Sequence, residues 1–175
     1  MCGIAGIIYK DGEHPIGTEM TRMLQSMKHR GPDSTGYALY GQPSNLVIMR
    51  YKLADANTPR DFEYEDRLRR HGAEVERRLG ALGAVVKKLE EETEYAFRVT
   101  VEYDGDLKRL ADFVEDVPDV EVLSLGHSLE IVKDLGDAET VSEEYGLGNY
   151  IGTHAIGHAR MAISSEAMAT MSSDS

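Results

Sequence analysis

Met1-Cys2-Gly3-Ile4-Ala5-Gly6-Ile7 opens the chain and sets its only cysteine directly behind the initiator methionine. A small penultimate residue favours removal of Met1, which would leave Cys2 as the mature N-terminus, with a thiol and a free α-amine on one residue. An unperturbed α-amine titrates at about pH 7.7–8.0, so near neutrality it can take the thiol proton directly or through a water. One residue then supplies both nucleophile and base. Gly3 and Gly6 let backbone approach a substrate closely, and Ile4, Ile7 and Ile8 are expected to bury the strand over residues 2–9 that carries the thiol. Position alone favours chemistry only weakly over a small buried hydrophobe beside a frayed terminus.

Outward from this strand, Ile16, Met20, Met23, Leu24 and Met27 fall on one face of a helix expected over residues 16–28, with Thr18 as its N-cap. The methionine stripe reads as a core-facing surface, although methionines also suit an adaptable binding face. Residues 36–40 and 46–49 then alternate as two strands, and the short polar connection between them predicts a hairpin. From Thr58-Pro59-Arg60-Asp61, a helix-start pattern, the chain is strongly charged as far as Glu92. Leu68, Val75, Leu79, Leu82, Val86 and Leu89 make one apolar seam along it, and Gly72, Gly80 and Gly83 predict a break or bend.

Tyr95, Phe97, Val99, Val101 and Tyr103 alternate on one face of a further strand. Asp104-Gly105-Asp106 turns it into a helix bearing Leu107, Leu110, Ala111, Val114 and Val117. Two short strands follow around Gly126-His127. This βαββ order resembles half of a ferredoxin-like unit, an architecture used for docking and for ligand sensing alike. A last helix is expected over residues 137–145.

The composition narrows the function classes. Nineteen basic against 31 acidic residues give a net charge of −12, which disfavours a nucleic-acid or anionic-membrane surface. One cysteine cannot form an internal disulfide and fits a reducing, cytoplasmic setting. No apolar run is long enough to span a bilayer, and the N-terminus lacks the layout of a signal peptide.

Two further segments share a family likeness with the first: Arg30-Gly31-Pro32-Asp33-Ser34-Thr35-Gly36, and Gly152-Thr153-His154-Ala155-Ile156-Gly157-His158-Ala159-Arg160-Met161-Ala162. In wording and order the three resemble the class II glutamine amidotransferases, N-terminal nucleophile hydrolases that release ammonia from glutamine. Within that family they most resemble the amidotransferase subunit of archaeal-type glutamate synthases and the N-methylglutamate synthases. The resemblance implies an α+β fold, the N-terminal part of an αββα four-layer sandwich over residues 1–52 and 146–175. Residues 53–145 would be an inserted charged helix plus the ferredoxin-like βαββ element.

The resemblance also assigns roles. Cys2 would be the nucleophile and Arg160 the cation that forks onto the substrate carboxylate, a task suited to a guanidinium. Arg30, Asp33 and His158 would support the site. His154 and His158 stand four apart, yet no glutamate follows His154 as in a zincin helix, so buried structural histidines are expected and no metal. L-glutamine would be the substrate and a synthase subunit the recipient of ammonia, with any flavin or iron–sulfur cofactor on partner chains.

The chain departs from the family pattern in places. Ala159 and Ile163 stand where threonine or serine is usual. The family's oxyanion-hole Asn-Gly and its ammonium-reading acid lie beyond the arginine, whereas the residues after Arg160 contain no Asn-Gly. The expectation is therefore an N-terminal portion, or a degenerate copy, of a longer amidotransferase. The rival is a non-catalytic binding or regulatory module on the same fold.

Overall fold

The computed structural model describes residues 2–31 and 33–161. Removal of Met1, the Pro32 turn and the character of residues 163–175 lie outside the described residues. In chain order the elements are β1 (Gly3–Ile8), α1 (Ile16–Ser26), a 3-10 turn (Lys28–Arg30), β2 (Ser34–Tyr40) and β3 (Val47–Lys52). Then come α2 (Tyr64–Ala81), β4 (Val85–Glu91), β5 (Ala96–Glu102), α3 (Leu107–Glu115) and β6 (Glu121–Gly126). The last are β7 (Leu129–Leu135), α4 (Ala138–Glu144), a 3-10 turn (Leu147–Asn149) and β8 (His154–Arg160). No described helix is long and apolar enough to cross a membrane.

The strands form two antiparallel four-stranded sheets, ordered β1-β8-β2-β7 and β4-β5-β3-β6, so the fold is α+β. The expected hairpin between β2 and β3 does not form. β2 pairs with β7 and β8, while β3 crosses into the second sheet between β5 and β6. Consequently β3-α2-β4-β5-α3-β6 is a β-α-β-β-α-β run whose first strand sits between its third and fourth, the split βαβ arrangement. β7, read from sequence as a strand of the βαββ element, pairs instead in the first sheet.

Local chemistry explains the other boundaries. The helix expected from Thr58 begins at Tyr64, because Thr58 Oγ1 instead accepts from the Asp55 N–H at 2.9 Å and closes a turn. It ends at Ala81. Gly83 holds φ +83°, and β-branched Val85 and Val86 start a strand where the apolar seam had suggested helix. Asp106 and Asp137 cap α3 and α4 through backbone N–H groups at Arg109 and Thr140. Thr18 caps nothing; its hydroxyl donates to the Gly148 carbonyl, tying α1 to the turn before β8.

α1 packs on the first sheet through Ile16, Met20 and Leu24, all fully buried. It comes so close to β8 that a Cβ on Gly157 would meet Leu24 and Met20 at 2.6 Å. The opposite face of this sheet is open. Ile4 and Ile8 are each 73% exposed and Ile156 51%, whereas Ile7 packs against the core. In the second sheet, Val47, Met49, Val99 and Val101 bury against Val75, Leu79, Leu110 and Val114 of α2 and α3.

The two sheets meet at a charged junction. β7 presents Glu130 and Asp134, each side chain no more than 3% exposed, toward Arg50 and Lys52 of β3. Glu130 accepts from Arg50 Nε and Arg98 Nε at 2.7 Å and from the Tyr150 hydroxyl at 3.1 Å. Asp134 Oδ2 takes Lys52 Nζ at 3.0 Å, the Tyr95 hydroxyl at 2.9 Å and the Tyr145 hydroxyl at 2.6 Å.

Candidate active site

The site forms where β1, β8 and β2 run side by side. Gly3 pairs with Ala159 and Ile4 with His158, and Ser34 pairs with Arg160 and Gly36 with His158. Continuing the β1–β8 register by one residue sets Cys2 opposite Arg160. Cys2, Arg160 and Ser34 then make one row across the sheet end, on the face away from α1 because Gly157 faces the helix. Ile4, His158 and Gly36 make the next row.

Cys2 is exposed and unbridged, as a nucleophile must be. Arg160 is also exposed and lines two clefts. One, of about 270 Å³, lies on the open sheet face along Ser34, Gly36, Ala38, Ile156 and His158. The other, of about 240 Å³, is bounded by Ser34, Lys52, Asp55, Asn57, Lys133 and Asp134. Both signs of charge therefore surround Arg160, as an amino-acid substrate carrying carboxylate and ammonium would need.

The Arg30–Ser34 loop abuts this arginine. A Cβ on Gly31 would lie 2.6 Å from the Arg160 carbonyl carbon and 2.7 Å from its nitrogen, so only glycine lets the loop seat there. The Asp33 N–H donates to the Arg160 carbonyl at 3.2 Å, and the Asp33 carbonyl accepts from Gly136. Asp33 thus touches the strand carrying Arg160 through its backbone. Arg30 is exposed on the last residue of the 3-10 turn.

The histidines differ from expectation. Neither is fully buried, because both lie on the open face. His154 stacks on Tyr40 with ring centroids 4.0 Å apart and shares a 2.9 Å hydrogen bond with Thr153. His158 stands half-buried in the row beside Ile4. Among the described residues no three His, Cys, Asp or Glu side chains gather as a metal site requires.

Ser34, Lys52, Asp55, Asn57 and Lys133 escaped the sequence reading as neighbours of Arg160. Two of them left a signal: Ser34 stands in the Arg30–Gly36 motif, and Lys52 is a cation at the end of an otherwise buried strand. The others come from separate segments that meet only through strand register.

With this geometry in hand, the relatives are informative. No protein-family model matches the chain. It is similar to a protein named "Putative glutamine amidotransferase" in Methanothermobacter thermautotrophicus, 37% identical over 169 residues, which cover 94% of this chain and 53% of that protein. It is also similar to "Glutamine amidotransferase-like protein GlxB" of Rhizobium meliloti, 30% identical over 167 residues, covering 94% of this chain and 51% of the relative. The chain spans about half the length of the curated relatives it matches.

Proposed function

We propose that the chain carries the glutaminase chemistry of a class II, N-terminal nucleophile amidotransferase. The observation that carries this reading is the β1–β8 register, which brings the strand of Cys2 alongside that of Arg160 at the same end of one sheet. The names of the relatives support glutamine as the substrate.

In the proposed reaction the Cys2 α-amine takes the thiol proton and the thiolate attacks the side-chain amide carbon of glutamine. The C–N bond breaks, the α-ammonium returns the proton to the leaving nitrogen, and ammonia departs. Water then attacks the γ-glutamyl thioester, releasing glutamate and restoring the thiol. Arg160 would hold the α-carboxylate through a two-pronged contact, orienting the amide toward Cys2. Ammonia would pass to a synthase of the glutamate synthase type, which would carry any flavin or iron–sulfur groups.

A diazo-ketone analogue of glutamine tests the assignment. It should add to Cys2 of the Met1-processed protein in stoichiometric amount, detected by intact mass, and free glutamine should protect. Labelling that persists in Cys2→Ala would assign the nucleophile elsewhere and overturn the reading.

A further inference from the structure

A third cleft, of about 340 Å³, opens between the exit of β3, α2 and the turn before β6, lined by Lys52, Asp55, Thr58, Arg67, Asp119 and Glu121. The Arg67 side chain is 25% exposed, and its ion pair among the described residues is a loose 3.5 Å contact with Asp61. The guanidinium also lies over the Tyr64 ring, 5.9 Å from its centroid; with five N–H donors, these two contacts leave it capacity for a further partner. Asp119 stands in that turn with φ +64°. Among the described residues no ion pair within 4 Å joins Arg67 to Asp119, although both line the same space.

We propose that this cleft binds a free α-amino acid, with its carboxylate on Arg67 and its ammonium on Asp119 and Asp55. Arg67 and Asp119 line one cavity without pairing to each other, an arrangement that complements a zwitterion. Glu121 and Lys52 are already paired with Lys133 and Asp134, so Asp119 and Asp55 are left to disfavour a phosphate or other simple anion and Arg67 to disfavour a simple cation. The cleft shares Lys52 and Asp55 with the smaller Arg160 cleft, and a 2.6 Å Lys133–Glu121 pair links the two linings again. An occupant that draws Asp55 toward itself alters the wall beside Arg160. That regulatory consequence rests on Arg160 being the substrate arginine; the binding does not.

Titration calorimetry of the 175-residue chain with L-glutamate and with L-alanine tests the site, run in the Arg160→Ala background so that both Arg160 clefts are disabled. At least one amino acid should bind saturably, and Arg67→Ala should weaken it about tenfold or more, as loss of a charged hydrogen-bonding partner does. Asp119→Gly should weaken it similarly while melting at or above the parent temperature, since glycine relieves the positive φ. No saturable heat with either amino acid, or binding indifferent to both substitutions, overturns the proposal. Neither outcome depends on whether Cys2 is labelled, so this failure and that of the glutaminase reading are distinguishable.

Discussion

Gly31 shows how much at the site turns on single atoms. Its missing side chain lets the Arg30–Ser34 loop lie against the backbone of Arg160. Gly31→Ala should therefore cost about 1–3 kcal/mol, the range for overpacking, and should loosen glutamine binding by displacing Arg160. Chemical denaturation and ligand titration would show both effects, and an unchanged midpoint would mean the loop yields freely. Arg160→Lys keeps the charge but loses the fork, so glutamine binding should weaken by about 1.5–3 kcal/mol with little change in stability, because the side chain is exposed. Unaltered affinity by calorimetry would make Arg160 a surface residue. Cys2 and Arg160 stood out as candidates in the sequence because each sits in a continuous motif, and the register sets their strands side by side. Asp55, Asn57 and Lys133 were not, since no local spacing records which strands become neighbours.

At the level of elements, the two strands the sequence reading misplaced, β3 and β7, are the ones that face each other across the charged junction of the sheets. β3 alternates Val47, Met49 and Tyr51 against Arg50 and Lys52, and its apolar half alone suits a hairpin with β2 as well as a place beside β5. The two cations decide, because burial without partners would be prohibitive: Glu130 and Asp134 lie on β7, and Glu92, just past β4, also pairs with Arg50. Lys52 and Asp134 are each 2% exposed, so Asp134→Asn or Lys52→Met alone should destabilise by about 3–5 kcal/mol by stranding the other charge. The double variant should lose less than the sum of the two in denaturant unfolding. The pH dependence follows the same pair. Burial pushes the Asp134 carboxyl up, but the Tyr145 hydroxyl and Lys52 ammonium outweigh it and hold it below the usual carboxylate range. Glu130 is likewise pushed up by burial yet held low by Arg98 and Arg50. Carboxyls with depressed folded values contribute fully above their unfolded pKa, about 3.9 for Asp and 4.3 for Glu, and lose that contribution as pH falls through the folded value. Glu92 has the opposite sign, because burial outweighs Arg50 and raises it; its contribution fades as pH rises. Melting temperature should thus drop steeply below about pH 4, and less steeply in Asp134→Asn. Parallel acid limbs in the two proteins would remove Asp134 from the cause.

On the scale of the whole molecule, the helical core and the open sheet face make unequal surfaces. α1 covers the side of the first sheet bearing Gly157 and Ala159, while the side bearing Ile4, Ile8 and Ile156 is largely exposed among the described residues. The sequence reading placed Ile4 and Ile8 in the core because it counted apolar residues without the period of two that sends alternate side chains to opposite faces. Ile7, one residue out of step with them, is the one that packs inward. Contiguous exposed isoleucines drive association, and each buries roughly 1.5–3 kcal/mol of side-chain transfer energy when covered. A second copy is the occupant at hand in a purified sample, so sedimentation velocity should show this chain self-associating with rising concentration. Ile4→Lys combined with Ile8→Lys should abolish that association. The melting temperature of the dilute monomer should shift little, because these side chains contribute almost nothing to the core. Net charge cannot explain the contrast: at −12 the chain already repels itself, and two lysines bring the charge closer to zero, which on electrostatics alone would favour association. A double variant that associates as strongly as the parent would place the contact on another surface, such as the exposed edge strand β4 with Val85, Val86 and Leu89.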